Sequence, residues 1–261
     1  MKILKTVLLL FLILIPLNIS AQDKISFEQY KSALYTKESG SLSRNMIRSI
    51  AEMVCKKYKV KDKENKIDAY FDEQFGDDVL ECHYLYASKY LTVEDCVCFE
   101  ERKKDSLLME AMAHKVKAKQ ILTDSVEQLT SVAKMLDKER ESVKFPEYKC
   151  SESYKTKWIE LCGGYEAYME AVSKQFQPLF KNKKIDAEDF FEPLFEYNII
   201  WTCNLVSSVI TEDDLDVMLK VKNSVANEHF NQYRLAMIND SKNVGEFFVE
   251  KMMAYFGVKK K

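Results

Sequence analysis

The chain has 261 residues, of which 47% are hydrophobic and 31% charged, and a formal net charge of −2. Six glycines and four prolines exclude collagen-like, linker-rich and turn-dense all-β designs, and the hydrophobic share excludes a disordered chain. Near-neutral charge with acids slightly ahead speaks against a nucleic-acid binder, which carries a basic surplus.

The first segment, Met1 to Gln22, has the layout of an export signal. Lys2 and Lys5 form a positive start, Val7 to Ile15 an unbroken apolar run that Pro16 ends, and Ser20 and Ala21 the small residues before a cut. The run is shorter than the ~20 residues that cross a bilayer, and no cysteine stands nearby to carry a lipid. The expectation is a signal peptide over 1–21 and an exported protein, periplasmic or secreted, with no integral membrane segment in the mature chain.

After residue 25, apolar residues recur at spacings of three and four. Met46, Ile50, Met53, Val54 and Tyr58 form one stripe, and Phe71, Phe75, Val79, Cys82, Tyr86 and Tyr90 a longer one. Phe190, Leu194, Tyr197, Trp201 and Leu205 form a third, and Leu215, Met218, Val221, Val225, His229 and Tyr233 a fourth. Each predicts one face of an amphipathic helix, and strand-like alternation is absent. The fold class is therefore all-α. Capping pairs at Ser26/Gln29, Thr92/Asp95, Asp124/Glu127 and Thr211/Asp214 mark helix starts. Breaks are expected at Glu38–Gly40, around Pro146, at Gly163–Gly164 and at Asn239–Asp240.

The two halves resemble each other. Ile67-Asp68-Ala69 leads into an aromatic stretch ending in Phe75, and Ile185-Asp186-Ala187 into one ending in Phe195. At an offset of 119 residues Leu91-Thr92-Val93-Glu94-Asp95 falls on Ile210-Thr211-Glu212-Asp213-Asp214, and Phe71 on Phe190. This order predicts two tandem related antiparallel helical modules packed together: residues 22–145 as module one with a linking helix, and 146–261 as module two with a C-terminal helix. The related cores span about 26–122 and 152–238. Val221 and Val225 fall on Arg102 and Ser106, so the exit helix of the first module must shift register or leave that side exposed.

The sequence Leu91-Thr92-Val93-Glu94-Asp95-Cys96, repeated as Ile210-Thr211-Glu212-Asp213-Asp214-Leu215 with a long helix before each, resembles an all-helical domain family of unknown function. This is the DUF twenty-fifty-nine family of exported Gram-negative proteins, here as two divergent copies covering most of the mature chain. The family's usual Phe-Tyr-x-Ser-Pro-x-Gly continuation is represented here only by Ser224. The resemblance implies a periplasmic helical fold and carries no established chemistry.

Seven cysteines, at 55, 82, 96, 98, 150, 162 and 203, would pair in an oxidising compartment and leave at least one over. Cys96 and Cys98 point to different sides of one helix, and an intact helix separates Cys150 from Cys162; no pairing follows from spacing. Cys82-His83, Cys96-x-Cys98 and His114 are the sharpest metal reading, but they lack the paired ligand spacing of structural zinc. No metal and no cofactor is assigned. His229 reads as a packed histidine on an apolar stripe, and His83 and His114 as surface or helix-edge residues. The acid pairs Asp72-Glu73, Asp77-Asp78, Glu94-Asp95 and Glu212–Asp214 could serve glycoside chemistry, but they read as helix starts and solvated faces. No recognised catalytic motif is present.

The densest aromatic group, Phe190, Phe191, Phe195, Tyr197 and Trp201, gives the candidates for a ligand groove, sought first between the modules. The expected function is that of a non-enzymatic binding or interaction module for a protein or an apolar ligand. The alternative is a periplasmic hydrolase using a carboxylate and a histidine.

Overall fold

The structure is a computed structural model that describes residues 24–34, 44–138, 144–180 and 187–259. The expected signal peptide and the break at Glu38–Gly40 lie outside these residues. Among the described residues the protein is all-α. The helices are α1 (Phe27–Leu34), α2 (Arg44–Tyr58), α3 (Lys63–Glu73), α4 (Phe75–Ala87), α5 (Val93–Arg102), α6 (Ser106–Asp124) and α7 (Val126–Lys138). They continue as α8 (Glu152–Leu161), α9 (Tyr165–Phe176), α10 (Ala187–Val206), α11 (Glu212–Lys222), α12 (Val225–Asn239) and α13 (Ser241–Tyr255), with a 3-10 turn at Gln177–Phe180.

Division by packing falls differently from division by sequence. The first unit combines the described residues up to Glu101 with Val225 onward, and the second is Arg102–Ser224. In the first, α1–α5 share one core with α12 and α13, around Ile47, Tyr70, Phe248 and Met252. In the second, α6–α11 enclose Leu129, Phe176, Leu194 and Leu215. Each such side chain taken fully from water contributes roughly 1.5–3 kcal/mol. The segment after each Thr-capped helix thus packs with the other half of the sequence.

Three of the four predicted caps form. Ser26 and Gln29 bond reciprocally at 2.8 and 3.2 Å, Thr92 and Asp95 at 2.8 and 3.2 Å, and Thr211 and Asp214 at 2.7 and 3.1 Å. Asp124 does not start a helix. It is the last residue of α6, and its carboxylate accepts from Gln120 at 2.7 Å. The turn into each Thr-capped helix has the same bonds 119 residues apart. Leu91 N–H donates to Ala87 O, and Ile210 N–H to Val206 O, both at 2.8 Å. Cys96 N–H to Thr92 O and Leu215 N–H to Thr211 O are both 3.2 Å.

The helix ladder is interrupted at one common position. Gln74 separates α3 from α4, and Pro193, 119 residues later, stands inside α10 without an N–H to give. Gly163 and Gly164 reverse the chain between α8 and α9 at φ +111° and +93°, a region disfavoured for side chains; a Cβ at Gly163 would also meet Ala167 Cβ at 3.0 Å.

The phase of two predicted stripes needs correction. In α2 the buried face is Ile47, Ala51, Val54 and Cys55, while Met46 and Met53 are 44% and 55% exposed. The fourth stripe is not one helix: Lys222 ends α11, and Val225 opens α12 exposed.

Candidate functional site

In the second unit, four helices and the start of a fifth leave a hollow of about 210 Å3. Two of them contribute residues one helical turn apart: Tyr168, Ala171, Val172 and Gln175 from α9, and Asn198, Trp201 and Thr202 from α10. Leu122 from the end of α6, Val126 and Leu129 from α7 and Trp158 from α8 complete the wall. The spacings follow from helical geometry, which stacks i, i+3 and i+4 on one face. The wall is mainly apolar, with Tyr168, Gln175, Asn198 and Thr202 as its polar members. The Tyr168 hydroxyl donates to Asn198 Oδ1 at 2.5 Å, and burial pushes its pKa up, so it remains a phenol donor. Trp158 Nε1 lies buried beside the Tyr168 hydroxyl. The chain contains two tryptophans, and both line this hollow.

Of the five groove candidates, Trp201 faces the hollow. Phe195 turns into the core instead, edge-on to Tyr165 and Tyr168 at 4.6 and 5.4 Å. Tyr197 packs edge-on to Phe145 at 5.8 Å. At about 100° per residue Tyr197 and Trp201 lie on one side of α10 and Phe195 on the other. The side chains of Phe190 and Phe191 lie outside the described residues. Trp158, Tyr168 and Asn198 were not among the sequence candidates; the rarity of tryptophan was the one available signal for Trp158.

Two of the three histidines meet carboxylates. His114 Nδ1 on α6 is 2.9 Å from Asp214 Oδ2 in the second unit, and His229 Nδ1 on α12 is 2.8 Å from Asp95 Oδ2 in the first. Each aspartate also closes the capping box of its helix with the threonine three residues before it. Burial pushes the Asp214 pKa up, but the N–H bond from Thr211 and the bond from His114 outweigh it, and the carboxyl sits below its ordinary value. Neither dyad lines the Trp158–Trp201 hollow.

His83 is not a surface residue. It is 6% exposed, edge-on to Tyr233, and neither ring nitrogen has a hydrogen-bond partner. Burial, then the charge of Arg234, lower its pKa. Asp78, expected on a solvated face, is 1% exposed and accepts from the Tyr70 hydroxyl at 2.9 Å. Both departures come from α12 and α13, distant in sequence, which pack against α4.

All seven cysteines are free thiols. Cys82, His83, Cys96 and Cys98 belong to the first unit and His114 to the second, and among the described residues no three His, Cys, Asp or Glu side chains gather as a metal set. A second hollow, of about 510 Å3, lies in the first unit between α2 and α3 and is lined by Arg48, Glu52, Lys56, Lys63 and Glu64. Its mixed charges are those of a solvated trough. No helix among the described residues is long and apolar enough to cross a membrane. No protein-family model, curated protein or solved structure matches the chain.

Proposed function

We propose that this chain is an exported, non-enzymatic binding protein that holds an apolar ligand of one or two aromatic rings in the hollow between Trp158 and Trp201. The carrying observation is that both tryptophans of the chain, with Leu122, Leu129 and Val172, wall a single, mainly apolar space. An apolar cavity of about 150 Å3 is enough for benzene, so about 210 Å3 leaves room for a ring with a short substituent.

Because both tryptophans stand at the site, tryptophan emission excited apart from the fourteen tyrosines reports on it. 4-Bromobenzyl alcohol should quench the emission saturably in the wild type. The Ala171→Phe variant narrows the hollow from an exposed position and should leave only linear, collisional quenching. Linear quenching in both proteins would sink the proposal.

Export is supported by the layout of Met1 to Ala21, and two related modules by the shared turn at Ala87–Cys96 and Val206–Leu215. The likeness of these turns to the DUF twenty-fifty-nine motif rests on the same residues. N-terminal sequencing of periplasmic protein should begin at Gln22; an intact Met1 would remove export from the proposal.

The hydrolase reading keeps one favouring observation, the two histidines whose Nδ1 atoms are each held by a carboxylate. Activity on aryl esters or aryl glycosides that disappears in His114→Ala or His229→Ala, with the fold intact, would favour it over binding.

A further inference from the structure

We infer that Cys150 and Cys203 are a disulfide site, closed by thiol–disulfide exchange with a donor disulfide, that staples the segment before α8 to the long helix α10. Two sets of contacts bring the thiols together. Asn204 holds the segment from both sides: its Nδ2 donates to Glu147 O at 2.8 Å, and its Oδ1 accepts from Lys149 N–H at 2.7 Å. The next residue along the segment is Cys150 and the residue before Asn204 is Cys203, so the clasp sets the two cysteines side by side. Each thiol lies close enough to shift the other's titration, in opposite directions. Both belong to the same core cluster, Cys203 fully buried and Cys150 half-buried at its edge.

The two thiols are not equivalent, and the order of reaction follows from that. Cys150 lies outside any helix and is the one that solvent reaches. Burial raises its pKa, but the S–H of Cys203 opposes this by stabilising the thiolate. Cys203 is raised by burial and by its neighbour, and keeps its proton. The Cys150 thiolate attacks one sulfur of the donor disulfide, breaking the donor S–S bond and releasing one donor thiol. Cys203, losing its proton to solvent, then attacks the Cys150 sulfur of the mixed disulfide and releases the second donor thiol. The protein dithiol is oxidised and the donor disulfide reduced by the same two electrons.

The other cysteines lack this arrangement. Cys96 and Cys98 are two residues apart on α5, turned to different sides of the helix. Cys162 caps the far end of α8 from Cys150. The ring closed between residues 150 and 203 contains more than fifty residues, long enough for a cross-link to restrict the unfolded chain strongly.

The test incubates the full chain with oxidised glutathione, alkylates remaining thiols, and maps the cross-linked peptides. The expected product joins the Cys150 and Cys203 peptides, leaves the other five cysteines alkylated, and raises Tm by roughly 5–10 °C over the reduced protein. Cys150→Ser, at a half-exposed non-helical position, should lose both the link and the Tm gain, while Cys98→Ser should keep them. Cys150 and Cys203 recovered as alkylated thiols, or either one joined to a different cysteine, would overturn the assignment. This outcome is separable from ligand binding, since quenching by the bromobenzyl probe is to be compared on reduced protein, where no cross-link is present.

Discussion

Thr92–Asp95–His229 in the first unit and Thr211–Asp214–His114 in the second are the same device assembled in opposite chain order. In each, a threonine and an aspartate three residues on close a capping box, and the aspartate also accepts from a histidine on a neighbouring helix. The histidine follows its aspartate by 134 residues in the first unit and precedes it by 100 in the second. What differs is the environment four turns of chain earlier. At the 119-residue offset Cys82 and His83 fall on Trp201 and Thr202. The second unit opens its hollow at this place, whereas the first packs Cys82 and His83 against Tyr30 and Tyr233, and leaves a histidine without partners. The helix-start device tolerates no such divergence, because its aspartate must satisfy a buried backbone N–H as well as a side chain. The wall position has no such double duty and is free to change.

The comparison breaks most sharply at the aspartates. Asp95→Ala removes the acceptor for Thr92 N–H and strands His229, and it should cost about 3 kcal/mol in urea unfolding followed by far-UV circular dichroism. Asp214→Ala should cost about 2 kcal/mol, because Asp214 is the less deeply buried of the two (8% against 4%). If both variants unfold as the wild type does, the shared device carries no stability and the likeness is geometric only.

The second expected effect concerns His83, which has no histidine counterpart. Its folded pKa is lowered, so the folded state resists a proton that the unfolded chain accepts. Nothing is lost above the ordinary histidine value of about 6.5. Below it, stability falls progressively until the folded pKa is reached. His83→Phe keeps the edge-on packing on Tyr233 and removes the titrating group, and it should flatten this slope in unfolding midpoints between pH 7 and pH 5. An unchanged slope would mean that another group carries the acid sensitivity.

The smallest effect separates the two roles of Asp214. Its folded pKa is depressed, so its contribution is present above the ordinary carboxylate value of about 3.9 and is lost as pH falls through the folded value. His114→Ala removes one of the bonds that depress it but leaves the Thr211 N–H bond. The acid-unfolding midpoint should therefore move upward by a few tenths of a pH unit, a shift sized for one of several hydrogen bonds. His114→Ala with an unmoved midpoint would assign the whole depression to the cap.

The all-α class was legible because three- and four-residue spacing is a local property of each segment. So were the caps at Ser26, Thr92 and Thr211, where both partners lie within three residues. Phase was less legible. In α2 the core takes Ala51 and Cys55, small residues that weigh little in a hydrophobic stripe, and leaves Met46 and Met53 outside. His83 and Asp78 looked polar and exposed because the helices that cover them, α12 and α13, come from the far end of the chain. The hollow was partly visible through Trp201, but aromatic density on α10 marked a helix buried on several sides and could not tell Phe195, in the core, from Trp201, at the wall. The Cys150–Cys203 neighbourhood was hidden for another reason: Asn204, which builds it, is unremarkable in any local pattern.

Arg102 and Ser224, the first and last residues of the second unit, share a hydrogen bond of 2.5 Å. The second unit is thus one continuous stretch of chain inserted in the sequence of the first, with its own two ends held together. A linker of a few glycines and serines could replace residues 102–224 and rejoin α5 to α12, while the excised segment, with its ends already tied, is suited to expression as an independent cassette.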